Sequence, residues 1–228
     1  MKLFTKLFIV GLLAILSFEV SAQSMLYKGG LNISSMLEKD ADYEYSSDYG
    51  IMTGFHIGAG FELPINEMFS VEPNFIFTSK GADMTFEDPD FGLYSYEGTV
   101  KTYYIDVPIY FKASYDLGFM KAYAAAGPYF GIGVAGKIDL KTQFLGEEII
   151  TERDVNWGYD ETYDDYKTVD MGVSFGAGAE IGAFVAGFYY DFGLSNNYPQ
   201  DINDLKTNNR VIRVSLGYKL DLAKKTEE

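Results

Sequence analysis

Apolar and polar residues alternate with a period of two along much of this chain. In residues 171–181, methionine, valine, phenylalanine, alanine and isoleucine occupy every second position, and glycine, serine and glutamate lie between them. Side chains of a β-strand point alternately to opposite faces, so this period predicts strands. A polar face rich in glycine suits a narrow interior, and an apolar face suits contact with lipid. The pattern is therefore typical of an outer-membrane β-barrel.

The sequence contains eight segments in which apolar and polar residues alternate, each bounded by residues typical of turns. The connections between these segments are alternately short and long. The predicted strands are residues 25–36, 50–63, 68–80, 99–115, 120–136, 168–182, 184–194 and 209–220, and the long connections are residues 37–49, 81–98, 137–167 and 195–208. The sequence thus predicts an all-β fold, an eight-stranded antiparallel up-and-down transmembrane β-barrel with short periplasmic turns and long extracellular loops. The alternative is a soluble barrel whose core holds the apolar face.

Three prolines, Pro73, Pro108 and Pro128, fall inside predicted strands. A closed barrel has no free edge, and proline cannot donate a hydrogen bond to a neighbouring strand. We therefore expect a β-bulge or a local break in pairing at each proline. A bulge would reverse the facing of the residues that follow it in the fourth and fifth strands.

The N-terminal residues predict export. Lys2 and Lys6 precede an apolar run over residues 7–18, and small residues follow at the positions that signal peptidase reads. We expect residues 1–22 to be a cleaved signal peptide, residues 23–220 to form the outer-membrane barrel and residues 221–228 to be a short charged periplasmic tail. No later stretch reaches the roughly 18 apolar residues of a membrane helix. The chain has no cysteine, which excludes disulfides and thiolate chemistry.

Nine charged side chains, five acidic and four basic, fall on the glycine-rich face that we expect to line the lumen. They are Lys28, Glu62, Glu72, Asp106, Lys112, Glu180, Asp191, Arg213 and Lys219. An unpaired charge is expensive in an interior poor in water, so this near balance predicts a paired network that fills the lumen. The alternative is a gate or a route for protons.

Candidate catalytic and metal sites are weak in this sequence. His56 is the only histidine, and we expect it on the lumen face near Glu72 or Glu180. No Gly-x-Ser-x-Gly elbow accompanies it, so we predict no enzyme, no catalytic residue and no cofactor. Acidic segments at residues 40–44, 87–90 and 160–166 could bind divalent cations, yet none has the EF-hand order. A solvated acidic surface is the alternative.

The long connections carry nearly all of the net charge of −15, which argues against binding to nucleic acid. They are also rich in aromatic residues, which on exposed loops are suited to contacts with partners. The possible contact residues are Tyr43, Tyr45, Trp157, Tyr159 and Tyr163. We expect outer-membrane lipid and surface or secretion-machinery proteins as partners, and the sequence leaves the oligomeric state open.

A series of short motifs along the mature chain resembles one known family. The motifs are Lys28-Gly29-Gly30-Leu31-Asn32-Ile33-Ser34, Gly54-Phe55-His56-Ile57-Gly58, Val71-Glu72-Pro73 with Thr78-Ser79-Lys80-Gly81, Tyr104-Ile105-Asp106-Val107-Pro108-Ile109, Ala126-Gly127-Pro128-Tyr129, Gly176-Ala177-Gly178-Ala179-Glu180 and Arg213-Val214-Ser215-Leu216-Gly217-Tyr218. In this order they resemble the PorT-like outer-membrane β-barrel proteins of Gram-negative bacteria.

That resemblance implies a small eight-stranded barrel, and the founding members are associated with protein secretion and maturation. The chain departs from the pattern at its end, because such barrels usually finish on an aromatic residue and here residues 221–228 follow Leu220. We expect a structural or surface-interaction role through the acidic, tyrosine-rich loops. The alternatives are an accessory role in protein secretion across the outer membrane and a narrow transport channel.

Overall fold

The computed structural model describes residues 24–39, 50–87, 94–144, 147–199 and 206–222, and the backbone of these residues forms β-strands joined by turns. The strands are β1 (Ser24–Lys39), β2 (Met52–Pro64), β3 (Phe69–Glu87), β4 (Tyr94–Asp116), β5 (Lys121–Phe144), β6 (Glu147–Asp154), β7 (Val169–Ile181), β8 (Phe184–Gly193) and β9 (Lys206–Asp221). No helix in these ranges is both long and apolar enough to cross a membrane.

Eight of the strands close into a ring. Each strand pairs antiparallel with the next along the chain, except that β5 passes β6 and pairs with β7. The first and last strands complete the ring along their whole length, from Ser24 opposite Asp221 to Lys39 opposite Lys206. The predicted eight-stranded up-and-down barrel is therefore confirmed. β6 lies outside the ring and pairs with the last residues of β5.

The ring has one end with tight turns, which we call the turn end. Asn66 closes the first turn, because its Oδ1 accepts hydrogen bonds from the backbone N–H groups of Met68 and Phe69 at 2.9 and 2.8 Å. At the second turn, Asp116 Oδ1 accepts from the backbone N–H of Gly118 at 2.7 Å. Gly118 and Gly182 have φ angles of 88° and 58°, a conformation that glycine adopts without steric cost.

At the opposite end, the loop end, the strands run further than the sequence predicts. β3 and β4 continue through most of residues 81–98, and β5 and β6 form a hairpin within residues 137–167. The prediction of loops is wrong over these parts. All eight residues of β6 are exposed, so that strand needs no period-two hydrophobic pattern, although its backbone pairs with β5. We call residues 82–87, 94–100, 137–144 and 147–154 the extension.

The apolar face of the barrel points outward and the tyrosine and glycine face points inward. Exposed outward side chains include Phe55, Ile57, Phe75, Ile105, Phe111, Phe175, Phe188, Val214 and Leu216, whereas Tyr104, Tyr110, Tyr129 and Tyr189 are buried inside. A Cβ added at Gly176 would lie 2.2 Å from a ring carbon of Tyr189, so glycine provides the room for that ring. This arrangement contradicts the soluble barrel, whose apolar face would be buried.

The prolines interrupt pairing without shifting the register. Pairing between β2 and β3 stops after Gly60 opposite Asn74 and resumes at Leu63 opposite Val71, with equal numbers of residues on both strands. The same kind of break follows Pro108 in the pairing of β4 with β5. The register between β4 and β5 shifts instead at Tyr103 and Tyr104. The local breaks are as predicted, and they do not reverse the facing of later residues.

Candidate functional site

All nine charged residues predicted to line the lumen face the interior, and six of them form one cluster near the turn end. Lys219 Nζ lies 2.6 Å from Glu62 and 2.9 Å from Glu180. Lys112 bonds to Glu180 and also lies 3.4 Å from Glu62 and 3.6 Å from Glu72. Each carboxylate therefore shares its charge with more than one ammonium group.

Lys28 completes this turn-end cluster. Its Nζ lies 2.7 Å from Glu72, and both side chains are buried. The rings of Tyr110 and Tyr189 surround the ammonium group, with centroids 5.7 and 5.5 Å away, within the range of a cation–π contact. The cluster holds three lysines and three glutamates, so its charge is balanced.

A second interior pair, Arg213 and Asp191, lies further from the turn end. Arg213 Nη2 donates to Asp191 Oδ1 at 2.8 Å and to the hydroxyl of Tyr110 at 2.6 Å. The Tyr110 hydroxyl is also 3.1 Å from Ser174 Oγ. The tyrosine thus joins this ion pair to the neighbouring strand β7, and the charge is again balanced.

The third interior group contains two residues that the sequence reasoning missed, Lys80 and Asp170. Lys80 Nζ lies 2.9 Å from Asp106 and 2.9 Å from Asp170 and is fully buried. The ring centroids of Tyr104 and Tyr129 are 4.6 and 4.7 Å from the same nitrogen. We call these three charged residues the Lys80 triad.

The period of two contained the signal for both missed residues. Lys80 follows Glu72 by an even number of residues on β3, and Asp170 precedes Glu180 by an even number on β7. Each therefore shares the interior face of its strand with a residue that was predicted. They were missed because each lies close to the predicted end of its strand. With them, the interior ion pairs of the described residues comprise six acidic and five basic side chains.

His56 is inside the barrel, but its partners differ from those expected. Its Nδ1 lies 2.8 Å from Asn32 Oδ1 and its Nε2 lies 3.1 Å from Ser215 Oγ, whereas Glu72 and Glu180 bind the lysines of the turn-end cluster. The Asn32 amide nitrogen donates to the backbone carbonyls of Phe55 and Ser79, so its oxygen must face His56. Nδ1 therefore carries the proton, and Nε2 accepts from Ser215.

This Ser215, His56 and Asn32 arrangement follows the order of a nucleophile, a base and an orienting group. It is nonetheless enclosed, since His56 is 2% exposed and Ser215 is 5% exposed. The interior space beside Ser215 is a cavity of about 10 Å³, bounded in part by Lys28 and Tyr123. That volume is at the limit for one water molecule, so a substrate has no room at the hydroxyl.

Residues 155–168 fold back over the loop end of the barrel, and we call them the cap. Trp157 meets the ring of Tyr104 edge-on, with centroids 5.3 Å apart and an interplanar angle of 84°. Its indole ring covers Gly133, where an added Cβ would lie 2.2 Å from a ring carbon. Tyr166 of the cap is buried and stacks on Tyr198, with ring centroids 5.6 Å apart.

Trp157, a possible contact residue, is partly buried, because its indole ring packs against Gly133 and Tyr104 at the loop end. Tyr159 and Tyr163 are 56% and 76% exposed, which leaves them available to a partner. Tyr43 and Tyr45 lie outside the described residues, as do the acidic residues 40–44 and 88–90.

One ion pair anchors the cap to β6. Arg153 donates to both carboxylate oxygens of Asp165 at 2.6 and 2.8 Å, and the backbone N–H of Asn156 donates to the same carboxylate at 2.9 Å. Burial alone would raise the pKa of Asp165, but these hydrogen bonds outweigh it and hold the pKa below its ordinary value. The carboxylate is therefore ionised at neutral pH and holds the cap in place.

The acidic residues of the cap serve its own turns. Asp160 Oδ1 accepts from the backbone N–H groups of Thr162 and Tyr163 at 2.9 and 3.2 Å, and Asp164 Oδ2 accepts from that of Asp160 at 2.8 Å. Across the described part of the chain, no group of three or more histidine, aspartate or glutamate side chains could hold a metal ion. Residues 160–166 thus form local turns.

Several solved structures of outer-membrane proteins are similar to this barrel. Solved structures similar to it include Ail of Yersinia pestis (14% identity over 87% of this chain and 99% of that one, TM-score 0.35) and the Neisserial surface protein A (13% over 86% and 97%, TM-score 0.39). OprG of Pseudomonas aeruginosa is also similar (11% over 88% and 97%, TM-score 0.47). No curated protein matches this chain in sequence.

Membership of a family follows from the sequence itself. Residues 22–198 match the family described as outer membrane protein beta-barrel domain, which covers more than half of the chain. The closed ring, the outward apolar face and the filled interior agree with that match. The chain therefore belongs to the outer membrane protein beta-barrel domain family, and it is located in the bacterial outer membrane.

Proposed function

We propose that this protein is a closed, non-enzymatic barrel that acts through contacts at its loop end. The observation that carries the proposal is the interior, where the Lys80 triad and the tyrosines occupy the space that a channel or an active site would need. The cap covers the same end of the barrel with Trp157 and Tyr166. The surfaces left for function are the extension and the exposed side of the cap.

The proposal includes an orientation. The turn end faces the periplasm and the loop end faces the outside of the cell, in the usual manner of bacterial barrels with short turns on one side. Residues 1–22 act as the signal peptide, and the mature chain begins at Gln23. β9 extends to Asp221, so the periplasmic tail is residues 222–228, one residue shorter than the sequence predicts. Protein sequencing of the mature N-terminus tests the cleavage site.

Within its family we group the chain with the PorT-like proteins, on the motifs of the sequence. The motif residues Lys28, Glu72, Asp106 and Arg213 all belong to the interior ion pairs. These motifs therefore serve to build the barrel, and a role in secretion does not follow from them. For this reason we prefer surface contact to an accessory role in secretion.

Site-specific photo-crosslinking in intact cells tests the proposal. A photoreactive phenylalanine analogue replaces Tyr163, which is 76% exposed in the cap, and in the matched control it replaces Tyr115, which is 65% exposed at the turn end. We expect a discrete adduct with another cell-surface or external molecule from position 163 and a different pattern from position 115. Absence of any adduct from position 163, or identical adducts from both positions, would overturn the proposal.

A further inference from the structure

The strand β6 has one paired edge and one open edge. Its eight residues, Glu147–Asp154, are all exposed. One edge pairs with β5 from Lys137 to Phe144, and the residues that the structure describes place no strand along the other edge. Such an edge presents unpaired backbone donors and acceptors, to which an extended chain can add as another strand.

The register shows which backbone groups are open. The backbone N–H of Val155 donates to the carbonyl oxygen of Gly136 at 3.0 Å. In an antiparallel pair every second residue makes such backbone hydrogen bonds, so the residues of β6 that are hydrogen-bonded to β5 lie an even number of positions before Val155. The N–H and C=O groups of Glu148, Ile150 and Glu152 therefore point away from β5. The series of unpaired backbone groups ends near Asn156, because the Asp165 carboxylate accepts a hydrogen bond from the backbone N–H of Asn156.

The side chains beside these open groups are acidic with one aliphatic residue between them. Glu148, Ile150 and Glu152 share the outer face of the extension, and Ile150 is 64% exposed. A groove of about 390 Å³ adjoins Ile150 on this face, and its lining includes Asp83, Glu97, Asp139 and Lys141. The surface next to the open edge is thus mainly acidic.

The acidic surface beside the open edge of β6 determines which kind of strand can bind there. A second copy of β6 would place its own glutamates beside Glu148 and Glu152, and like charges opposite one another are destabilising. A strand with basic residues on either side of an aliphatic one would instead pair with Glu148 and Glu152 and cover Ile150. Asp139 lies directly opposite Glu152 on β5 and adds to the attraction.

We propose that the open edge of β6 binds an extended segment of another protein that has lysine or arginine at alternate positions around an aliphatic residue. The segment adds as a strand through the backbone of Glu148, Ile150 and Glu152. This inference rests on the proposed surface role, since it names the chemistry of the partner at the loop end.

A peptide tests the proposal on the full-length protein in lipid nanodiscs. The probe is a fluorescent nine-residue peptide with lysine, valine and lysine on alternate positions of one face and threonine elsewhere. Peptides with glutamate in place of lysine, or with N-methyl groups on the backbone N–H groups that face β6, are the controls. We expect fluorescence anisotropy to show saturable binding of the lysine peptide and at least about tenfold weaker binding of both controls.

Two variants locate the binding site. Ile150→Pro removes an open N–H group but no hydrogen bond to β5, and we expect it to weaken binding at least about tenfold, whereas Ile150→Ala keeps the N–H and should lose less. Glu152→Lys should weaken binding by a similar factor. Its matched control, Glu67→Lys, changes the net charge equally at the turn end and should bind as the unchanged protein does.

The outcomes separate this inference from the proposed function. No binding of the lysine peptide, equal binding of the glutamate peptide, or full binding by Ile150→Pro each overturns the β6 inference. The Tyr163 crosslinks are then compared in Ile150→Pro cells. If the Tyr163 crosslinks persist in Ile150→Pro cells, the surface role stands but does not depend on β6. If the crosslinks are lost in Ile150→Pro cells and kept in Ile150→Ala cells, the result supports both the surface role and the β6 inference.

Discussion

Lys80 connects two buried carboxylates that have no other ammonium or guanidinium partner among the described residues. Asp170 also accepts hydrogen bonds from Ser195 and Asn209 at 2.9 Å each, whereas Lys80 is the only residue in the described chain that forms an ion pair with Asp106. Removal of one partner from a buried ion pair is costly because the remaining charge stays away from water. The Lys80 triad is therefore the part of the interior that is most sensitive to a single substitution.

The first prediction concerns this triad. Lys80→Met should lower the free energy of unfolding by about 3–5 kcal/mol, because it leaves two buried carboxylates without a cation. Urea unfolding of the purified barrel in detergent micelles measures this change. In the triple variant Lys80→Met, Asp106→Asn, Asp170→Asn, much of the loss should be recovered. The control Lys141→Met removes a half-exposed partner of Glu148 and should change little.

The cap is the element whose position the sequence did not reveal. Period-two alternation predicts which residues of a strand face inward, and Tyr104 and Gly133 follow that rule. It contains nothing about how an irregular segment folds back over a barrel end. The seat of Trp157 depends on contacts between β4, β5 and the cap, and such contacts are not local in sequence. The strands of the ring were predictable because each repeats a two-residue pattern that is local in sequence.

The second prediction tests the seat of Trp157, the only tryptophan in the chain. Gly133→Ala places a methyl group where the indole ring lies, so the ring must move toward water. We expect tryptophan emission to shift to longer wavelength. Val134→Ala, a change at the exposed neighbouring residue, should leave the emission unchanged. Equal spectra for Gly133→Ala and the unchanged protein would show that the indole does not occupy this seat.

The third prediction concerns the pH dependence of the cap. The pKa of Asp165 is lowered in the folded protein, so its ionised form stabilises the cap above the ordinary carboxyl pKa of about 4. This contribution is lost as the pH falls through the lowered folded pKa. We expect Trp157 emission to shift to longer wavelength on acidification below about pH 4.

Two variants assign that shift to Asp165. Asp165→Asn should show the longer wavelength already at neutral pH, because the ion pair with Arg153 is absent at every pH. Glu161→Gln, a change at an exposed residue of the same cap, should titrate as the unchanged protein does. If Asp165→Asn retained the full acid-induced shift, the transition would belong to another group.

At the scale of the whole molecule, the described interior contains two apolar clusters and several charged groups. One apolar cluster near the turn end contains Leu26, Tyr110, Tyr123 and Tyr189, and another at the loop end includes Met36, Val100 and Val155. The interior ion pairs and His56 lie close to these two apolar clusters. The near balance of interior charge was visible in the sequence, but the partner of each charge was not, because pairing depends on the stagger of the strands around the ring.

The fourth prediction follows from this filled interior. Purified protein in planar lipid bilayers should show no reproducible single-channel conductance, because rings and ion pairs leave no continuous water path. Steady conductance from the unchanged protein would favour the transport channel over the closed barrel.

The pairing of β1 with β9 closes the ring, and these two strands lie at opposite ends of the described chain. Without β9, β1 and β8 would each keep an edge whose backbone groups lipid cannot satisfy. A chain that lacks the residues of β9 therefore cannot close the ring, and it would expose two unpaired strand edges to the membrane.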